Sequence, residues 1–574
     1  MAKRWIIAPE SPEAPDAARS WGVTPLVAQL LINRGLSTSA AARQFLTPKL
    51  TDLHAPELLP GAVGAAQRIS DAIRDRRRIV LYGDYDVDGT TGVAILWHVL
   101  HRAGADVSTY VPHRIEEGYG LNLASVERLI EGGAKMIITI DCGITAVDVA
   151  KAIRRAGVSL IITDHHTPAE DIPDADAIVH PTVGGAYPNE SLCGAGVAFK
   201  LAWAIAQRLG GTSRVAPEFR DLLVEMLPLA ALGTIADVVP LTGENRIIAR
   251  HGLGALPGTG LPGLRALIEV AGLTGERVSS YDVGFKLAPR INAAGRMGHA
   301  DLAVELLTNA TPERASEITM YLDEHNRARQ ATERKIVKEA RERVDAEGLA
   351  GDARRAIVLA SKGWHAGVIG IVAARIVERY HRPTILIALE NGEGQGSGRS
   401  IRNFDLHAAL VTSGKFLTSF GGHAMAAGLR IAEGNVDAFT EAFVATANNR
   451  ITHEDLVPKI RLDAEISLSA LSLQVVESVS ALGPFGSGNP KPKLATGWLE
   501  LAEEPRLVGR DSAHLSARFR EGSVQIKSIG FGLGDQIEAL KNHRRCRVAF
   551  EPIINEWNGR KTVEMQVLDM KFPD

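Results

Sequence analysis

Asp84-Tyr85-Asp86-Val87-Asp88-Gly89 follows directly on an apolar run, Arg78-Ile79-Val80-Leu81-Tyr82, that reads as a buried strand. Two later runs end the same way. Met136-Ile137-Ile138-Thr139-Ile140 leads into Asp141-Cys142-Gly143, and Leu160-Ile161-Ile162-Thr163 leads into Asp164-His165-His166. Three apolar strands thus deliver carboxylates or imidazoles at their C-terminal ends. In an open parallel α/β sheet that edge is where ligands bind. Carboxylates crowded together resist ionisation. A divalent cation relieves the repulsion, so the spacing predicts a metal site.

D-x-D-x-D-G also opens an EF-hand calcium loop. That loop requires a bidentate Glu at its twelfth position. Counting from Asp84, this position is Ile95, and the motif follows a strand instead of a helix, so the calcium loop is excluded. Three cysteines, Cys142, Cys193 and Cys546, give neither a disulfide framework nor a zinc spacing. Cys142 sits beside Asp141 on a tight turn and reads as a small residue, not a nucleophile. Hydrophobic content of 45% and charged content of 23% fit a soluble globular protein. No apolar run approaches the roughly 18 residues of a membrane span. The opening Met1-Ala2-Lys3-Arg4-Trp5 lacks a long apolar segment. The expectation is a cytoplasmic protein with no membrane partner. A net charge of −3 argues mildly against a nucleic-acid ligand, unless metal neutralises part of the acidic set.

A chain of 574 residues exceeds one core, so about three or four domains are expected. Residues 1–60 read as an N-terminal helical extension, with Pro25–Asn33 as one helix. Over 61–310 strands alternate with helices. Strands are expected at 79–83, 106–111, 136–140, 159–163 and 177–180, and helices at 91–102, 124–131, 146–156 and 197–209. This βαβ pattern predicts a parallel-sheet catalytic domain. Residues 311–350 are highly charged and form a linking helix region, with the helix itself at about 323–347. A smaller α/β domain follows at 351–450. Its strands are 356–360 and 384–388, its helix 368–380, and a glycine-rich stretch from Gly392 leads to Arg399. Short strands over 455–574 predict a C-terminal β-barrel. The barrel reads as an accessory that leaves the metal-site lobes intact when removed. Its arginines, with Phe519 and Phe531, are candidates for a nucleic-acid groove.

Asp84, Asp86, Asp88, Asp141, Asp164, His165 and His166 supply hard oxygens and imidazole, which suit Mn²⁺ or Mg²⁺. Asp237, the one charge in the apolar stretch 231–240, is a further candidate. Adjacent His165 and His166 in an extended segment point to opposite sides. One is then a ligand and the other a phosphate contact. So many ligands exceed one ion's needs. Two ions about 3.5–4 Å apart clamp an in-line phosphoryl displacement, so phosphoester hydrolysis is the reaction class. No G-x-x-x-x-G-K-[ST] loop is present, which argues against P-loop ATP chemistry.

The ordered motifs resemble the DHH phosphoesterase superfamily, named for the triplet at 164–166, and more narrowly its RecJ family of bacterial single-strand-specific exonucleases. The resemblance rests on 83–89, Pro112-His113-Arg114 with Gly118-Tyr119-Gly120, 141–143, 164–166, Gly194-Ala195-Gly196-Val197, 236–240 and 288–296. A second lobe is similar to the DHHA1 domain through 363–370, 396–400 and 421–428. The last segment is similar to the family's OB-fold, with Pro484-Phe485-Gly486-Ser487-Gly488-Asn489-Pro490 at its start.

The resemblance implies that Asp86, Asp88, Asp141, His165 and Asp237 hold two Mn²⁺ or Mg²⁺ ions, with Asp141 as the bridge. Asp84, Asp141 and His166 take the catalytic roles, Asp84 as a ligand or as an acceptor behind the ligands, His166 on the phosphate. Substrate contacts fall to Arg114, Tyr119, Arg290, Asn292 and Arg296. Others fall to His365, Gly398, Arg399, Gly422 and His423 in the second lobe. Tyr119 and Trp364 are candidates for stacking on bases. The implied activity is 5′-to-3′ hydrolysis of single-stranded DNA to mononucleotides in DNA repair and recombination. The implied partners are single-stranded DNA, a helicase and a single-strand-binding protein. One rival is a phosphoesterase of oligoribonucleotides or small nucleotides. The other is a non-catalytic scaffold that binds single strands.

Overall fold

The computed structural model describes residues 3–113, 117–118, 120–211, 214–296 and 299–573, with backbone alone for Arg296 and Arg510. The chain divides into two compact units, one of Ile7–His325 with Leu462–Asp574, the other of Asn326–Arg461 with the first six residues. The helix Pro312–Ala346 begins in the first and ends in the second. It starts before Asp323 because Pro312 suits a first helical turn and Ala315, Ile318 and Leu322 are buried.

The first unit is built on five parallel strands: β1 (Ile79–Gly83), β2 (Val107–Tyr110), β3 (Met136–Ile140), β4 (Ser159–Thr163) and β5 (Ala177–Val179), in the order β2-β1-β3-β4-β5. Every residue of β1 and β3 is buried, as continuous apolar runs demand when helices cover both faces. From β1 the chain passes to β2 on one side and then to β3 on the other. The order therefore reverses between β1 and β3, and a crevice opens there at the carboxyl ends. Asp84 bridges this point, its N–H donating to Ile140 O at 3.1 Å. The helices Val87–Arg102, Gly194–Leu209 and Pro217–Ala236 pack together in the same core.

Residues 462–574 carry a closed barrel. Arg545–Trp557, Leu499–Leu501, His514–Glu521, Val524–Gly530 and Arg560–Lys571 pair in succession, and the last returns to the first. The barrel is packed against the sheet domain and the N-terminal helices, not set apart from them as expected. Val479 and Leu482 share a buried cluster with Val27, Leu30, Leu31 and Ala42 of the N-terminal helices. Arg246 is 2% exposed; its guanidinium lies 3.7 Å from the Phe45 ring centroid and donates to Phe45 O and Gly483 O. One buried cation thus ties together the N-terminal extension, the sheet domain and the barrel. The expected nucleic-acid groove is also reduced. Phe519 is fully buried in the barrel core, and Arg518, Arg520, Arg544 and Arg547 pair with Glu503, Glu500, Glu504 and Glu465. Phe531 is 58% exposed.

The second unit has a mixed sheet of β6 (Ile357–Lys362), β7 (Thr384–Glu390), β8 (Glu393–Arg399), β9 (Ser419–Gly422) and β10 (Ala426–Ala432), in the order β9-β10-β8-β7-β6. The glycine-rich stretch, expected as a connection, is the strand β8. Gly394, Gly396 and Gly398 are its buried face. A Cβ there would stand 2.7 Å from Ile387 Cγ2, 2.6 Å from Leu429 Cδ1 or 2.8 Å from Leu406 Cδ2. Glycine is required by neighbouring side chains, not by a turn. Among the described residues, no helix is long and apolar enough to cross a membrane.

Candidate metal centre

Four strand ends converge on the crevice. Asp84 follows β1 and is 4% exposed. Asp86 caps the helix Val87–Arg102, its Oδ1 accepting the Gly89 N–H at 3.0 Å. Asp88, in the first turn of that helix, is 1% exposed and accepts from the first amides of a second helix, Gly194 N at 2.6 Å and Ala195 N at 2.8 Å. Those N–H groups have no partner within their own helix, and the helix dipole favours the negative charge. Asp141 follows β3 in the left-handed region, φ 64°, which a non-glycine residue seldom adopts. Asp237 ends the helix Pro217–Ala236 and joins the cluster beside Asp88 and His165.

His165 joins these carboxylates. Its Nε2 lies 3.1 Å from Asp141 Oδ1 and 3.7 Å from both Asp88 Oδ2 and Asp237 Oδ2. This nitrogen is buried and makes no hydrogen bond. Three sets of side chains have donor atoms within 4.8 Å of one another: Asp141, His165 and His166; Asp88, His165 and Asp237; Asp84, Asp86 and Asp141. Asp141 and His165 each belong to two sets. An imidazole nitrogen facing three carboxylates without a hydrogen bond fits a cation better than it fits a folded core.

The electrostatics agree. Burial first, and then repulsion from Asp88, Asp86, Asp84 and Asp164, holds the Asp141 carboxyl well above the usual carboxylate range. Burial and Asp88 also raise Asp86. Burial, Asp88 and Asp86 push Asp237 up to about 8. Burial lowers His165, which keeps its imidazole neutral and suited to ligation. Burial also opposes charge on His166, but the hydrogen bond and charge of Asp164 outweigh it and raise this ring. Cys142 is pushed well up by burial and by Asp164 and Asp84, so the thiol stays protonated, in keeping with its reading as a small residue.

The two histidines do not diverge. Their ring centroids are 4.5 Å apart, and His166 Nδ1 lies 3.8 Å from the same Asp141 oxygen that His165 approaches. The cause is Asp164. Its Oδ1 accepts from His165 N, His166 N and His166 Nδ1, and its Oδ2 accepts from Ile144 N. This curls the segment out of extended geometry, so alternation no longer applies. Asp164 therefore orients ligands instead of contributing an oxygen to any of the three sets. His180 was not among the candidates. Buried just after β5, it accepts Thr182 N–H at Nδ1, so Nε2 carries the proton donated to His166 O at 2.9 Å. The polar residue ending the fourth apolar strand was its signal.

Two glycines leave room for this packing. A Cβ on Gly194 would lie 2.6 Å from Asp141 Oδ1, and one on Gly233 would lie 2.6 Å from Asp88 Oδ1. Of the substrate candidates in this unit, Arg290 is tied to Asp323 at 2.8 Å and to Lys286 O. Asn292 is half-buried on the helix Ala288–Arg296. Arg114, Tyr119 and the Arg296 side chain lie outside the described residues.

In the second unit, Arg399 ends β8 and donates to Ser397 Oγ and Gly398 O. It has no carboxylate partner among the described residues, and burial lowers it. Gly398 pairs with Ala427, which also pairs with Gly422. Gly422, at φ 134°, needs its missing side chain for the hairpin itself, since a Cβ would stand 2.5 Å from Ala426 O. His423 and His365 are exposed, His365 accepting Gly367 N–H at Nδ1. Trp364, a stacking candidate, is 6% exposed in an apolar core.

Family models match along the chain: the DHH family N-terminal domain at residues 78–234, the DHHA1 domain at 354–449 and the RecJ OB domain at 462–569. A single-stranded-DNA-specific exonuclease RecJ of Bacillus subtilis is 39% identical over 99% of the chain and 70% of its own length. The Haemophilus influenzae protein of the same name is 34% identical over 89% of the chain and 91% of its own length. The crystal structure of Thermus thermophilus RecJ in complex with Mn²⁺ superposes with a TM-score of 0.85 at 33% identity, covering 100% of this chain and 80% of that one.

Proposed function

The chain belongs to the RecJ family of single-stranded-DNA-specific exonucleases, and from that premise we propose that it hydrolyses single-stranded DNA from 5′ to 3′ into mononucleotides. Two Mn²⁺ or Mg²⁺ ions are held by Asp86, Asp88, Asp141, His165 and Asp237, with Asp84 completing the set. The observation that carries this is the buried, unbonded Nε2 of His165 facing Asp88, Asp141 and Asp237. Asp141 would be the shared ligand: it and His165 each belong to two of the three donor sets, and only the carboxylate has two oxygens to divide between ions. When bound, such ions supply a hydroxide nucleophile and stabilise charge on the scissile phosphate.

The protein's own groups do the rest. Asp164 holds His166 by Nδ1, and the raised imidazolium donates to a phosphate oxygen. Asp88 keeps its place on the start of the helix Gly194–Leu209. Arg399, whose charge no described carboxylate neutralises, suits a further phosphate, with His365 and His423 exposed in the same unit. Arg290 reaches substrate only if its Asp323 pair opens. A helicase and a single-strand-binding protein are the partners such an enzyme needs in a cytoplasm where DNA is duplex. Repair and recombination are the processes that generate its substrate.

The test is digestion with Mn²⁺ of single strands labelled at either end, of blunt duplex and of RNA. Labelled mononucleotide appearing at once from the 5′-labelled single strand supports the reading. Equal rates on duplex, release from the 3′ label first, or a preference for short RNA overturns it.

A further inference from the structure

Residues 484–490, ahead of the barrel strand Leu499–Leu501, touch the loop that carries Asp237. Asp237 is followed by Val238, a β-branched residue at φ 62° and 67% exposed. Such a residue leaves the left-handed region unless its neighbours hold it there. Two contacts hold them. Asn245 Nδ2 donates to Pro240 O at 3.1 Å and to Ser191 O at 2.7 Å, while its Oδ1 accepts from Asn189. From the other side, Leu241 N donates to Ser487 O at 2.7 Å.

The segment that offers this carbonyl is itself rigid. Gly486 and Asn489 exchange backbone hydrogen bonds. Asn489, fully buried, donates to Leu482 O and Pro484 O and accepts from Arg34 Nε. The segment also lies flush on the Asp237 loop. A Cβ on Gly488, at φ 69°, would stand 2.9 Å from Pro240 Cβ, and one on Gly486 would stand 2.8 Å from Leu241 Cδ1.

We infer that residues 484–490 act as a buttress that positions the Asp237 carboxylate for its ion, Ser487, Gly486 and Gly488 being positioning residues. The barrel then has a part in metal binding that does not depend on contact with DNA. The inference rests on Asp237 being a ligand, as proposed above. Groups that orient a ligand commonly change metal affinity by roughly 10–100-fold when altered. A plain docking role would change stability and leave affinity alone.

The experiment is calorimetric Mn²⁺ titration of the full chain, with thermal melting of the metal-free protein and hydrolysis measured against Mn²⁺ concentration. Gly488→Ala, Gly486→Ala, Asp237→Ala and, as a control, Gly497→Ala are compared with the parent. Gly497 has open space, its Cβ meeting nothing nearer than Glu465 Oε1 at 3.8 Å. Asp237→Ala should lose tight Mn²⁺ binding. Gly488→Ala should weaken it roughly tenfold, with hydrolysis recovering at raised Mn²⁺. Gly486→Ala should show a smaller loss in the same direction, because the atom it meets is the end of a flexible leucine. Gly497→Ala should match the parent. Lower melting temperatures with unchanged Mn²⁺ affinity in both loop variants overturn the buttress while leaving Asp237 a ligand. If Gly488→Ala does not fold, Gly486→Ala decides. Unchanged Mn²⁺ binding in Asp237→Ala overturns the ligand role and the buttress with it.

Discussion

His166 donates through Nδ1 to Asp164 Oδ1 at 2.7 Å, and the same oxygen accepts the backbone N–H groups of both histidines. Asp164 thus aims two imidazoles at once. Burial alone would raise its carboxyl; these bonds more than offset that and keep it ionised. Asp164→Asn retains the size and removes the charge. The His166 titration, followed by NMR in the metal-free protein, should then move to lower pH, since only the smaller pull of Asp237 and Asp84 still opposes burial. Hydrolysis should fall by roughly 10–100-fold. An unmoved His166 titration would show that the pair is not what charges the ring.

Asp141→Asn should be inactive and more stable. The shared ligand is lost, and a rate at least about a thousandfold lower, or about 4 kcal/mol of barrier, is expected. The same change removes the carboxylate that Asp84, Asp86, Asp88 and Asp164 repel. Melting of the metal-free proteins at pH 8 should therefore favour the variant. A lower melting temperature together with retained activity would contradict both halves.

Burial, and then the charges of Asp88 and Asp86, push Asp237 up to about 8 in the folded, metal-free protein. Between about pH 4 and 8 the folded state thus keeps a proton that the unfolded chain has already lost. Stability without metal should fall as pH rises through that window. Mn²⁺ must displace this proton, so its affinity should rise up to about pH 8. Titrations at pH 7 in buffers of different ionisation enthalpy should report proton release. Equal apparent enthalpies would exclude it.

Removal of residues 462–574 should destabilise the sheet domain. Val27, Leu30, Leu31 and Ala42 lose the apolar partners Val479 and Leu482, and Arg246 loses Gly483 O. Its charge is already disfavoured by burial, then by Arg250 and Arg34, which hold it down to about 9. The shortened chain should melt lower and be digested faster by trypsin than the whole protein. A shortened chain as resistant as the parent would show that the barrel is an appendage.

The five strands of the parallel sheet were legible in the sequence to within a residue, the central ones because a strand buried on both faces must be apolar throughout. The acidic and imidazole groups were legible for the same reason, as the first polar residues after each run. The turn at Asp164 was not. Alternation assumes extended backbone, and one carboxylate gathering three N–H donors overrides it. Likewise β8 was hidden by glycines whose reason lies in Ile387, Leu429 and Leu406 across the sheet. The barrel's attachment was not legible because an arginine such as Arg246 suggests surface, and its three carbonyl partners and the Phe45 ring are what make burial tolerable.

The hydrogen bond from Leu241 to Ser487 also sets an order of events during synthesis. A nascent chain that has left the ribosome as far as residue 461 contains every carboxylate of the centre, yet the segment that backs Leu241 does not exist. The loop that carries Asp237 therefore goes without its bond to Ser487 until the last hundred or so residues arrive.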